Sequence, residues 1–159
     1  MLAELVTAAQ AYAMCDRFLN GLVGDFASAD WQVRDAIGHD PRWIVGHLAV
    51  YRGKVRDLLG AKLPAPDWEP RFLQGTSPAD LPADLDPADL VKAFHAAQEA
   101  MAGRWEAVAE ADMAKPFGRT LPDGSDSVGG AIRFMVWHEA YHMGQLGFMR
   151  RLAGKPGRA

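Results

Sequence analysis

Leu90, Phe94, Ala97, Met101, Trp105 and Val108 recur at alternating steps of four and three, the strongest periodic signal in the chain and a core-facing helical seam. A seam of this kind needs other apolar faces to bury it, so the rest of the chain must supply partner helices. Asp86-Pro87 opens this third segment with an N-cap followed by the residue best suited to the first helical position. A first segment carries Leu2, Leu5, Ala9, Tyr12, Leu19 and Val23 on one stripe and ends near Gly24. A second begins at Asp40-Pro41, runs through Trp43, Ile44, His47, Leu48, Val50, Tyr51 and Val55, and is closed by Gly60. The fourth is capped near Ser125 or Ser127 and runs to about Ala153, with Arg150 and Arg151 placed where the helix dipole favours cations. Alanine numbers 27 whereas Val, Ile and Thr together number 16, a balance that suits helices far better than sheets.

Between the second and third segments, residues 61–86 hold Pro64, Pro66, Pro70, Pro78 and Pro82, which excludes a continuous helix and predicts a long crossover. The Pro-Ala-Asp-Leu unit at Pro78, Pro82 and Pro87 reads as three successive helix starts, of which the third succeeds. The expectation is an all-α protein, a four-helix bundle with a crossover between helices two and three, formed as a single domain over residues 1–159.

The net charge of −3 leaves no positive excess to hold a phosphate backbone, so nucleic-acid binding is not expected. The N-terminal apolar stretch has no basic region ahead of it and is interrupted by Glu4, unlike a secretory signal. No later stretch approaches the roughly 18 apolar residues of a membrane span. Cys15 is the only cysteine, so an intramolecular disulfide and a cysteine-rich metal site are both excluded. A soluble, reducing, cytoplasmic setting is the economical expectation, with Cys15 a small buried residue and not a nucleophile.

Five histidines then carry the polar interest. His138-Glu139-Ala140-Tyr141-His142 sets two imidazoles one helical turn apart, able to converge on one ion. The string also matches HExxH of zinc proteases, but residues 143–159 contain no His, Asp or Glu as a third ligand, so a zincin protease is not expected. A third ligand must come from upstream, and His47, mid-helix among Ile44, Val45, Leu48, Val50 and Tyr51, is the best placed. His39, before the helix cap, and His95, off the seam, read as exposed or partly exposed side chains.

The segment Trp43-Ile-Val-Gly-His47-Leu-Ala-Val-Tyr51, followed by His138-Glu-Ala-Tyr-His142-Met-Gly-Gln145-Leu, resembles the DinB-like superfamily of metalloenzymes over nearly the whole chain. The resemblance implies an up-down-down-up bundle and a divalent metal on His47, His138 and His142. Zinc and nickel suit imidazole best, with iron and manganese compatible. Three neutral imidazoles leave at least one coordination position open, the arrangement of catalytic and not structural zinc. The resemblance further implies a metal-dependent transferase that uses a low-molecular-weight thiol, acting on a small-molecule substrate, and a homodimer. Metal-assisted hydrolysis is an alternative enzyme reading, and a non-catalytic, stress-related metal-binding or interaction bundle is the alternative outside enzymology.

The neighbours have expected roles and bland equivalents. Glu139 is either a base behind the ligands or a solvated or inter-helix salt-bridge carboxylate. Tyr51 either donates a hydrogen bond to a bound anion or is a core tyrosine with its hydroxyl at the rim. Gln145 either contacts substrate or is a polar rim residue. Asp16 either orients a ligand histidine or faces solvent. Gly46 and Gly144 cost helix propensity beside two ligands, which close backbone approach or room for a ligand would offset.

Overall fold

Helix starts follow local chemistry. In a computed structural model, which describes residues 1–82 and 84–157, α1 spans Ala3–Val23, α2 Pro41–Leu58, α3 Pro87–Met101, α4 Glu110–Met113 and α5 Val128–Leu152. Asp40 caps α2 by accepting the Trp43 N–H at 2.9 Å, Asp86 caps α3 through Ala88 N–H at 2.8 Å, and Ser127 caps α5 through Gly130 N–H at 3.1 Å. Each side chain satisfies an N–H that has no partner inside its helix. The described residues contain no strand, only one isolated bridge between Pro116 and Ser127.

The apolar stripes meet in a shared core. Leu19 of α1, Ile44 and Val45 of α2, Leu90 and Phe94 of α3 and Leu146 of α5 are fully buried in it. α2 packs against both α3 and α5, and α1 packs against α5 and, less extensively, α3. α2 is therefore the central element, and twelve of its residues are buried, His47 and Arg52 among them.

Among its described residues the crossover is non-helical apart from 3-10 turns at Glu69–Phe72 and Pro78–Asp80. The Pro78 unit makes only that turn, the Pro87 unit opens α3, and the Pro82 unit includes residue 83, outside the described residues. Phe72 is fully buried, which pins the crossover onto α2.

The third helix is shorter than its periodicity suggests. It stops at Met101, and Gly103 adopts φ +73°, a left-handed conformation open to glycine without a Cβ penalty. The chain turns so that Trp105 stacks on Tyr12 at 5.8 Å while Arg104 donates to the carbonyls of Leu59 and Gly60 at the end of α2. Trp105 and Val108 keep the seam's apolar role from outside the helix, one buried and one half-buried.

Candidate metal centre

Four residues of the α2 side form a ladder at steps of four: His39, Trp43, His47 and Tyr51. Trp43 stacks on His39 at 4.8 Å and on His47 at 4.6 Å, and the His47 and Tyr51 rings lie 4.5 Å apart. The Trp43 indole N–H donates to Thr76 Oγ1 at 3.1 Å, fixing the ladder to the crossover. From α5, one turn apart, His138 and His142 reach the same place.

The three imidazoles converge through their Nε2 atoms. His47 Nε2 lies 3.1 Å from His138 Nε2, and His142 Nε2 lies 3.2 Å from it. One ligand nitrogen from each residue falls within 4.8 Å of the others, so the group could hold a metal ion. An ion bound tetrahedrally at about 2.0–2.1 Å sets adjacent nitrogens roughly 3.3 Å apart, which the observed separations match.

The hydrogen bonds on the far side of the rings set the tautomers. His47 Nδ1 lies 2.7 Å from the Phe72 carbonyl, which can only accept, so Nδ1 carries the proton and Nε2 is a lone pair. His142 Nδ1 meets Gln145 Oε1 at 2.6 Å, while the Gln145 amide donates to Tyr141 OH at 3.3 Å. Two lone pairs thus face His138 Nε2, and a neutral His138 has one proton to offer. A cation satisfies all three where a proton cannot. His138 Nδ1 is buried with no hydrogen-bond partner among the described residues.

Burial keeps the trio neutral. It pushes His47 down to about 3, with His142 and His138 adding to the shift against the opposing Phe72 carbonyl. It pushes His138 down to about 4, with His142 contributing, and also lowers His142 against the pull of Gln145. Neutral imidazole is the form that ligates metal.

The triad lines a cavity of about 730 Å³, within the range of small-molecule sites. Tyr51 lines it as well, its ring 4.8 Å from that of His138. His39, expected outside the site, also lines the cavity, brought there by its stacking on Trp43. His95 lies elsewhere, bonded to Asp16 and Asn20 of α1. Gln145 stands behind His142 and is not part of the cavity wall.

Glu139 is outside the cavity lining and points into the core. It is buried and gripped by Arg52, with Nε donating to Oε2 at 3.0 Å and Nη2 to Oε1, so it is an inter-helix salt bridge. Burial raises the Glu139 carboxyl while Arg52 opposes the rise. Arg52 also donates to Asp16, Gln98 and the Tyr12 carbonyl and lies 3.6 Å from the centre of the Phe94 ring. Asp16 therefore orients Arg52 and His95, not a histidine of the triad. Burial, reinforced by the Glu139 charge, pushes the nearby Cys15 thiol up to about 12.

Gly46 accounts for the position of Phe72. A Cβ at Gly46 would come within 2.2 Å of the Phe72 ring, the residue whose carbonyl holds His47. Gly144 has open space around its Cα instead. Phe72 and Arg52 escaped the sequence reading, which placed Trp43 in the second helix without assigning it a part in the site. Only the spacing of four through residues 39, 43, 47 and 51 signalled the ladder, while the Phe72 and Arg52 contacts join distant segments.

No curated protein matches the sequence. The family model of the DinB superfamily matches residues 11–146, a stretch that contains all three histidines, the whole of α2 and α5 as far as Leu146. An all-α chain with its triad inside that match belongs to the DinB superfamily.

Proposed function

We propose that this DinB-superfamily protein binds one divalent metal ion, zinc or nickel, on His47, His138 and His142, and uses it as an enzyme on a small-molecule substrate. The observation that carries this reading is the convergence of three Nε2 atoms on the wall of an open cavity, with two of the outer nitrogens already hydrogen-bonded. A divalent ion held by imidazoles lowers the pKa of a thiol or water ligand enough to supply a nucleophile near neutral pH.

The preferred reaction is transfer of a low-molecular-weight thiol. A carbon–sulfur bond forms to an electrophilic substrate as the leaving group departs with its bonding pair, and the thiol proton passes to solvent. Tyr51, whose ring packs on His47 and His138, is the candidate donor to the developing anion. Gln145 holds His142 in its ligating tautomer, and Glu139 with Arg52 keeps α5 in register with α2. Hydrolysis by an activated water would use the same residues.

Residues 1–159 form one domain, and the four long helices run up-down-down-up. α2 is about 27 Å long at 1.5 Å per residue, a span that the crossover covers easily, so α3 can start from either end of the bundle. Exposed Trp137, Tyr141 and Phe148 on α5 support a homodimer, and they equally favour the second reading, a non-catalytic interaction bundle. A cytoplasmic setting agrees with a free, buried Cys15, and among the described residues no helix is long and apolar enough to cross a membrane.

Elemental analysis of the purified protein, then thiol-transfer assays with a panel of cellular thiols, tests the proposal. One equivalent of zinc or nickel and transfer above the metal-stripped background are expected. Absence of metal at every loading would overturn it.

A further inference from the structure

The cavity has a second polar end that the histidines do not use. Arg119 and Thr120, from the loop before α5, line it together with the triad. That loop is built and not slack. Phe117 N–H donates to the Asp126 carbonyl at 2.6 Å and Leu121 N–H to the Ser125 carbonyl at 2.7 Å, so Arg119 sits between two tied points, and Leu121 is buried.

Arg119 has no carboxylate within salt-bridge distance among the described residues, and its ring contact is with Phe117 at 5.7 Å. Lys54 is outside the cavity lining, but its Nζ lies 4.5 Å from the centre of the ring of Tyr51, which does line the cavity, and it too has no salt bridge among the described residues. Burial lowers its ammonium pKa, with Glu69 opposing and Arg119 adding to the effect, so the two cations lie within reach of one another's field. No residue lining the cavity is acidic, while Trp43 and Phe134 provide apolar wall.

A cavity with an unpaired guanidinium in its wall, a second cation nearby that Glu69 only partly offsets, and no acid in its lining attracts an anion. A guanidinium fork matches the two oxygens of a carboxylate, and aromatic walls match an apolar body better than a heavily hydrated phosphate. We propose that the cavity binds a small organic carboxylate, its anion on Arg119 in the field of Lys54 and its apolar body against Trp43 and Phe134. This rests on the reading of the cavity as the substrate site and adds the chemical class of what enters it.

The test uses phenylacetate and its neutral analogue phenylacetamide, titrated into metal-free and zinc-treated protein at constant ionic strength. Binding is read from the Trp43 indole N–H resonance. Phenylacetate is expected to bind metal-free protein about tenfold more tightly than the amide, the value of one charge-assisted hydrogen bond. Arg119→Gln, at an exposed position, should abolish that preference with an unchanged circular-dichroism spectrum, and Lys54→Gln should reduce it. Equal affinity for acid and amide, no binding of the acid in either form, or a preference that survives Arg119→Gln would overturn the inference. Displacement of phenylacetate by inorganic phosphate at well below the acetate concentration needed would overturn the carboxylate assignment. Protein that binds no zinc yet keeps an Arg119-dependent preference would overturn the metal centre and leave the carboxylate site standing.

Discussion

Arg52 of α2 and Glu139 of α5 form a buried ion pair, and Glu139 is the residue next to His138. The guanidinium crosses the interior and ties together the two helices that carry the three histidines. Its other contacts, to Asp16 and the Tyr12 carbonyl of α1 and to Gln98 of α3, let this one α2 side chain bond to the other three long helices. A buried charge with so many partners sets register, because any shift of one helix strands it.

Removing one partner should therefore be costly. Glu139→Ala leaves a buried guanidinium without its main counter-charge, and a loss of about 3–5 kcal/mol is expected in urea unfolding. A double-mutant cycle with Arg52→Met should show strong coupling. Additive single losses would mean that the pair contributes no more than two separate contacts.

His142→Ala should abolish stoichiometric zinc or nickel binding while leaving a mostly helical circular-dichroism spectrum. Full metal retention in that variant, measured by elemental analysis, would rule out the three-histidine centre.

Gly46→Ala places a methyl against the Phe72 ring, which must move and take its carbonyl away from His47 Nδ1. About 1–3 kcal/mol of stability should be lost through overpacking, and metal affinity should fall roughly 10–100-fold through loss of the hydrogen bond behind His47. Unchanged metal affinity in a destabilised variant would show that the Phe72 carbonyl does not orient the ligand. Gly144→Ala, in open space, serves as the control.

Stability of the metal-free protein should depend on pH in a definite direction. Folded His47 and His138 titrate near 3 and 4, whereas an unfolded imidazole titrates near 6.5, so the unfolded chain takes up more protons between those limits. Their contribution to stability is present above about pH 6.5 and is lost as pH falls toward 4 and 3. Urea midpoints of metal-free protein should drop on acidification across that window, and His47→Gln should flatten the slope. A midpoint that does not change from pH 7 to 4.5 would contradict the buried, neutral triad.

Cys15, buried and with its thiol pushed up to about 12, should react with an aromatic disulfide reagent only after unfolding. Prompt modification of native protein at pH 8 would show that the core opens at α1.

The sequence by itself determined the helical class, the starts of α2, α3 and α5, and the three histidines that converge, since caps and periodicity are local and a spacing of four already sets two imidazoles on one face. It overran α3 because an apolar seam reports burial and not backbone. Trp105 is buried whether the chain is helical there or has turned at Gly103. Only the tertiary structure decided what each neighbour of the triad touches. Glu139 turns inward to Arg52, Gln145 stands behind His142, His39 reaches the cavity by stacking on Trp43, and the Phe72 carbonyl from the crossover selects the tautomer of His47. The Phe72, Arg52 and cavity contacts join residues far apart in the chain, and no local pattern encodes which of several helix faces will meet in the core.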